Sequence, residues 1–166
     1  EIREFHQGML VSWYGLNAGV DIARDTIIEI EQSLLQELGK RSVHRINLWH
    51  WPGGGGTTAG RRLAWNVHRK YPALITSRVD PISNIDKIRY VFNISRLPVL
   101  VVIDSPSTTR IDINRLFDTI RSANVGAVLV QIIRHYGTTS RRPTPYLDSM
   151  LNTLEAVALI EKLSSI

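Results

Sequence analysis

LWHWPGGGGTTAGRR, residues 48–62, is the stretch on which the reading of this chain turns. It closes a strand-like run, Val43 to Trp49, and opens a helical pattern from Thr57 to Lys70 through Leu63, Ala64 and Val67, ended by Tyr71-Pro72. Four consecutive glycines, Gly53 to Gly56, let the backbone reach conformations closed to other residues and bring its N–H groups near a ligand. Thr57 and Thr58 then start the helix, whose N-terminus favours negative charge. Aligned on Gly55, the phosphate-loop pattern G-x-x-x-x-G-K-S/T puts its lysine at Gly56 and its magnesium-binding hydroxyl at Thr57. Its first glycine falls on His50, so the pattern is degenerate at two points. A glycine run alone reads equally well as a flexible connection, but a link between buried elements rarely needs four.

Working outward, RLPVLVVIDSPSTT (residues 96–109) is an apolar strand ending in an acid. That is the form of a Walker B strand, in which the acid, here Asp104, binds Mg²⁺ through water. Many buried strands end in an aspartate that merely caps a helix. As the third strand, with a helix between each pair, it makes a more specific combination with the glycine loop. Ligands of open parallel sheets lie beyond the carboxyl ends of the strands, where Gly53–Thr58 and Asp104 would both be.

The rest of the chain alternates in the same way. Asp25 to Leu38 carries a helical apolar stripe, Ala73 to Thr76 is a short strand, and Ile82 to Ser95 is helical. Pro98 to Ile103 and Gly126 to Ile133 are continuously apolar, as strands covered on both faces are. Ile111 to Ala123 is helical, Arg134 to Thr144 reads as a loop, and Leu147 to Leu163 as a last amphipathic helix. Four strands alternating with five helices predict a three-layer α/β/α sandwich with a mainly parallel sheet. The 166 residues suit a single domain: an N-terminal element and helix (1–40), a core sheet (41–135), and a loop with a C-terminal helix (136–166).

Composition narrows the chemistry. There are no cysteines, which excludes disulfides, cysteine zinc sites and thiol catalysis and suits a reducing cytoplasm. No apolar run approaches the roughly 20 residues that span a bilayer. No secretory pattern is present, and a start without Met and a stop after a helix suggest a piece of a longer protein. A net charge of +5 favours anionic partners, although the basic residues are scattered as pairs: Arg61/Arg62, Arg69/Lys70 and Arg141/Arg142. The five histidines show no metal-ligand spacing. Neither a G-x-S-x-G elbow nor a Ser/His/Asp spacing occurs. Glu29/Glu31 and Asp21/Asp25 read as solvated carboxylates.

At these residues the sequence resembles the STAND class of P-loop NTPases. It is most similar to a lysine-less subgroup found in vertebrate SAM-domain-containing antiviral proteins and bacterial defence homologues. That subgroup reads P-G-x-G-G-S/T-T followed by a helix with Arg and Trp. Pro52, Gly53, Gly55, Gly56, Thr57, Thr58, Arg61, Arg62, Leu63 and Trp65 match it. Phe5-His6-Gln7-Gly8, Ser12-Trp13 and Arg24-Asp25 resemble the family's upstream element. The resemblance implies that Phe5, Gly8 and Arg24 lie near the nucleotide base and that Arg134, after the fourth strand, senses the phosphates. Without that resemblance Phe5 and Trp13 read as ordinary core, and Arg134 as half of a surface ion pair. Hydrolytic members carry a second acid beside the Walker B aspartate, whereas Asp104 is followed by Ser105-Pro106. The absent lysine also removes a charge that would stabilise the β- and γ-phosphates in the transition state.

The expectation is therefore a module binding ATP or a related nucleotide with Mg²⁺, with weak or absent hydrolysis. Pro52, Gly53, Gly54, Gly55, Gly56, Thr57, Thr58, Arg134, Arg24, Phe5 and Gly8 would contact the nucleotide, and Thr57 and Asp104 the metal. It would serve as a regulatory or oligomerisation unit in a larger cytoplasmic defence protein. The alternatives are a scaffold with an empty loop, or a nucleic-acid-binding module that uses its basic surface and stacks bases on exposed Trp49, Trp51 or Trp65.

Overall fold

The strand-like runs form one parallel sheet. The computed structural model describes residues 4–5, 9–136 and 143–164. Its strands are β1 (Val43–His50), β2 (Ala73–Thr76), β3 (Val99–Ile103), β4 (Ala127–Arg134) and the two-residue β5 (Tyr146–Leu147). They lie side by side in the order β2-β3-β4-β1-β5, with every pair parallel. The helices are α1 (Trp13–Asn17), α2 (Asp25–Gly39), α3 (Gly56–Val67), α4 (Pro81–Ser95), α5 (Arg110–Ser122) and α6 (Thr153–Ser164).

Alternation along the central strands divides the core between two faces, because successive side chains point to opposite sides of a sheet. Val128 and Val130 of β4 join Leu34 and Leu38 of α2 and Leu63 and Val67 of α3 in one apolar cluster. Ala127 and Leu129 join Ile88 of α4 and Leu116 and Ile120 of α5 in another. Both faces being covered explains why β3 and β4 read as unbroken apolar runs. Helix α3 sits close on the sheet at Gly60, where an added Cβ would lie 3.0 Å from Val102 and 3.3 Å from Ile132. A third small cluster, Val11, Leu16 and Val20, packs with Phe5 and Trp65 and so docks the N-terminal element on the flank of α3.

The three-layer α/β architecture is as expected, with two corrections. The helix anticipated from Leu147 starts only at Thr153, and Tyr146–Leu147 is instead a fifth strand. Two residues cannot show a period. They become a strand because β1 offers partners: Trp49 N donates to Pro145 O at 3.1 Å and Trp51 N to Leu147 O at 3.1 Å. The later helix start did have a local signal, since Asn152 and Glu155 form reciprocal caps: Glu155 N to Asn152 Oδ1 at 2.9 Å, Asn152 N to Glu155 Oε2 at 3.1 Å. In the second correction, the loop expected from Arg134 begins one residue later, because Arg134 is the last residue of β4. The short helix α1, capped by Ser12 Oγ accepting from Gly15 N, is a further element not anticipated. Among the described residues no helix is long and apolar enough to cross a membrane.

Candidate functional site

The four glycines at the end of β1 serve two different needs. Gly53 and Gly55 are exposed and both have φ of 81°, the left-handed region that a Cβ disfavours. Gly54 and Gly56 are buried, and for them the constraint is space. A Cβ on Gly54 would lie 2.9 Å from Trp51 O, 3.0 Å from Leu147 O and 3.1 Å from Asp148 O. A Cβ on Gly56 would lie 2.5 to 2.7 Å from the imidazole of His50. The run is thus a tightly specified loop, folded by the Gly54 N to Trp51 O bond of 2.8 Å and pressed against the segment that follows β5.

This loop leaves the start of α3 bare. Its N-cap is Gly55, which supplies no side-chain acceptor. The other described helices are served: α4 by Asp80, α5 by Thr109, α1 by Ser12 and α6 by Asn152. Even α2, whose N-cap Arg24 cannot accept, has its Asp25 N–H taken by Glu155 Oε1 at 3.2 Å. The first-turn N–H groups of α3 and the positive end of its dipole therefore face the loop without an acceptor among the described residues. Thr57 and Thr58, half-buried in this turn, make no hydroxyl hydrogen bond among the described residues.

Two cavities open on either side of this helix start. The larger, about 360 Å³, is bounded by Gly53, Gly54, Gly55 and Thr58 on one side and by an apolar wall that includes Ile22, Ile27 and Leu151 on the other. Phe5 and Leu159 of α6 also line it. Two arginines reach it, and both are already engaged. Arg62 grips the buried carboxylate of Asp21, with Nε to Oδ2 at 2.8 Å and Nη2 to Oδ1, and also donates to Leu16 O at 3.0 Å. Arg24 donates to Asp148 O at 3.0 Å and Met150 O at 3.4 Å, and reaches Gly54 O at 3.5 Å. Its Nε lies 3.0 Å from Glu155 Oε2, close enough for ion pairing though not aimed for a hydrogen bond. Lys162 of α6 donates to the carbonyls of Gly19 and Asp21, tying that helix to the N-terminal element.

The smaller cavity, about 170 Å³, brings Thr57 together with Asp104, the residue just beyond β3, and with Ser77 and Arg61. Asp104 is held by its backbone N–H to Thr76 O at 3.0 Å, while its carboxylate has no partner among the described residues. A hydroxyl and an unpaired carboxylate on one cavity wall suit Mg²⁺, which keeps several waters and takes one or two carboxylates along with phosphate oxygens. Such a site needs no group of three acids or histidines, and none occurs among the described residues.

Other predicted residues fall as follows. Pro52 is a half-buried turn residue at the loop's start, and Gly8 lies outside the described residues. Arg134 is exposed at the carboxyl end of β4, in register with His50, and makes no ion pair among the described residues. Arg61 turns away from the loop: Nη1 donates to Val11 O at 2.6 Å and the guanidinium lies 5.6 Å from the Trp13 ring centre. Neither it nor Arg62 occupies the lysine's place. Trp49, Trp51 and Trp65, expected to be exposed, are half-buried because neighbouring rings cover two of them: Trp65 stacks on Trp13 with centroids 6.3 Å apart, and Trp49 meets His135 edge-on at 6.0 Å. Asp21 is a correction: expected from the sequence as a solvated carboxylate, it is buried because Arg62 from α3 pairs with it. Residues that the spacing did not single out are Glu155 and the Leu147–Met150 segment, whose parts in the site depend on contacts distant in sequence.

No family model matches this chain, and no curated protein does. Two solved structures are similar in fold. One is a structure of Drosophila ORC bound to DNA, at 13% identity and a TM-score of 0.54, covering 77% of this chain and 42% of that one. The other is a structure of C. elegans PCH-2, at 15% identity and a TM-score of 0.51, covering 78% of this chain and 44% of that one. The fold is P-loop NTPase-like. The chain spans less than half the length of either neighbour, and at these identities the likeness concerns the fold alone.

Proposed function

We propose that this chain is a nucleotide-binding module that holds ATP or a related nucleotide with Mg²⁺ and hydrolyses it weakly or not at all. The observation that carries this reading is the uncapped start of α3 between its two cavities. Phosphates would supply the acceptors that the first turn lacks, the larger, apolar-walled cavity would take base and ribose, and Thr57 with Asp104 would hold the metal. When bound, Mg²⁺ would neutralise charge on the phosphates. The chain's own part is binding and orientation, through backbone N–H groups and the Thr57 hydroxyl. Phe5, Arg24 and Gly54 would border the nucleotide, and exposed Arg134 would meet its terminal phosphate.

Weak turnover follows from what is missing. Gly56 brings no lysine to the phosphates, and beside Asp104 stands Ser105, whose buried hydroxyl has no partner among the described residues and cannot act as a carboxylate base. We infer a regulatory or oligomerisation role inside a larger STAND-type defence protein of the cytoplasm. Nucleotide would bias the packing of neighbouring domains by binding one arrangement better than another.

Calorimetric titration of MgATP and MgADP into wild type and into the Thr57→Ala/Asp104→Ala variant tests this reading. The expected outcome is micromolar binding in the wild type, with ATP and ADP within about tenfold of each other, and a loss of at least about tenfold in the variant, on the order of 1.4 kcal/mol. Absence of wild-type binding at millimolar nucleotide would leave the module an empty-loop scaffold.

A further inference from the structure

The two departures of this loop from the phosphate-loop pattern touch each other. His50 stands at the first glycine position and Gly56 at the lysine position, and the imidazole occupies the space in which a Cβ on residue 56 would begin. The conflict is one of volume alone, because Gly56 is an ordinary first-turn helical residue without positive φ. The ring has little freedom to retreat. His50 is 7% exposed and its backbone is fixed between two strands, in register with Arg134 of β4 and Leu147 of β5. Its carbonyl accepts from His135 N at 2.9 Å, and its Nδ1 donates to Trp51 O at 2.9 Å, inside the loop itself.

We propose that His50 is the positioning residue that closes the lysine slot of this loop: the imidazole packs on Gly56, holds the loop's shape, and makes lysine and histidine mutually exclusive. The inference deepens the nucleotide reading above and explains its lysine-less loop as one coupled change rather than two independent losses. A loop built this way offers phosphate its backbone donors but no lysine ammonium. It would cradle a nucleoside di- or triphosphate without gripping the γ-phosphate.

The test separates the contact from the ligand. Thermal unfolding without nucleotide is measured for wild type, Gly56→Ala, His50→Ala and the double variant. In the wild-type background Gly56→Ala is expected to lower the melting temperature by roughly 3 to 10 °C, the effect of overpacking in a domain of this size. In the His50→Ala background the same substitution is expected to leave it unchanged or raise it, since alanine is the better helix former. Additive shifts would overturn the proposal. If His50→Ala does not fold, His50→Asn replaces it in the cycle.

The second arm is MgATP titration into His50→Gly/Gly56→Lys, whose loop reads GWPGGGKT and satisfies the whole pattern. It is expected to bind at least about tenfold tighter than wild type, whereas Gly56→Lys alone is expected to gain nothing. An equal gain in the single variant would show the slot to be open and overturn the proposal. Coupled melting with no MgATP binding in any of the proteins would sink the nucleotide reading and leave the closed slot standing.

Discussion

Two junctions at the same edge of the sheet solve one problem in opposite ways. From β3 the chain reaches α5 through Asp104–Thr109, and the helix closes itself: Thr109 Oγ1 accepts from Asp112 N at 3.2 Å while Asp112 Oδ2 accepts from Thr109 N at 3.3 Å. From β1 it reaches α3 through Trp51–Gly55, and no side chain caps the helix. The first junction is determined by residues three apart. The second is shaped from outside, by the Leu147 and Asp148 carbonyls over Gly54, by the His50 ring over Gly56, and by the Arg24 guanidinium. The difference teaches where an anion fits: the donors satisfied by protein at α5 are left open at α3, so a phosphate would complete the helix as a cap does.

The largest effect that would break this comparison is expected from Gly54→Ala. Its Cβ would meet three backbone oxygens rather than a movable side chain, so a loss of about 3 kcal/mol by urea denaturation is expected, together with loss of MgATP binding. A change within about 0.5 kcal/mol would mean that the segment after β5 does not hold the loop. Thr109→Ala should cost about 1 kcal/mol of stability and leave nucleotide affinity as it was, because that cap serves only its own helix. The smallest and sharpest effect concerns Thr58→Glu. A carboxylate in the bare first turn of α3 should raise stability by about 0.5 kcal/mol while lowering MgATP affinity at least about tenfold, since it would take the phosphate's place at the dipole. Stability and affinity falling together would show that the helix start is not a vacant anion position.

Much of this was legible in the sequence, and the reason is locality. The apolar runs of β3 and β4, the stripe of α2 and the punctuation by Gly and Pro are one-dimensional patterns, and they determined four strands, five of the six described helices and the parallel α/β architecture. The glycine loop and Asp104 were visible for the same reason, as was their placement beyond the strand ends.

What local pattern could not carry was settled by contacts between distant segments. Arg24 and Asp148 meet across 124 residues, and that contact helps set the segment against which Gly54 packs. Strand β5 exists only because β1 offers it an edge. Arg61 and Arg62, adjacent to the loop in sequence, are drawn away from it by Val11 and Asp21. By itself the sequence determined where the glycine loop, the four longer strands and most of the helices run, because those follow from the chemistry of neighbours. Only the tertiary structure decided which glycine is needed for its φ and which for its lack of a Cβ, and that the His50 ring fills the space beside Gly56, because both depend on which atoms the fold brings within van der Waals distance.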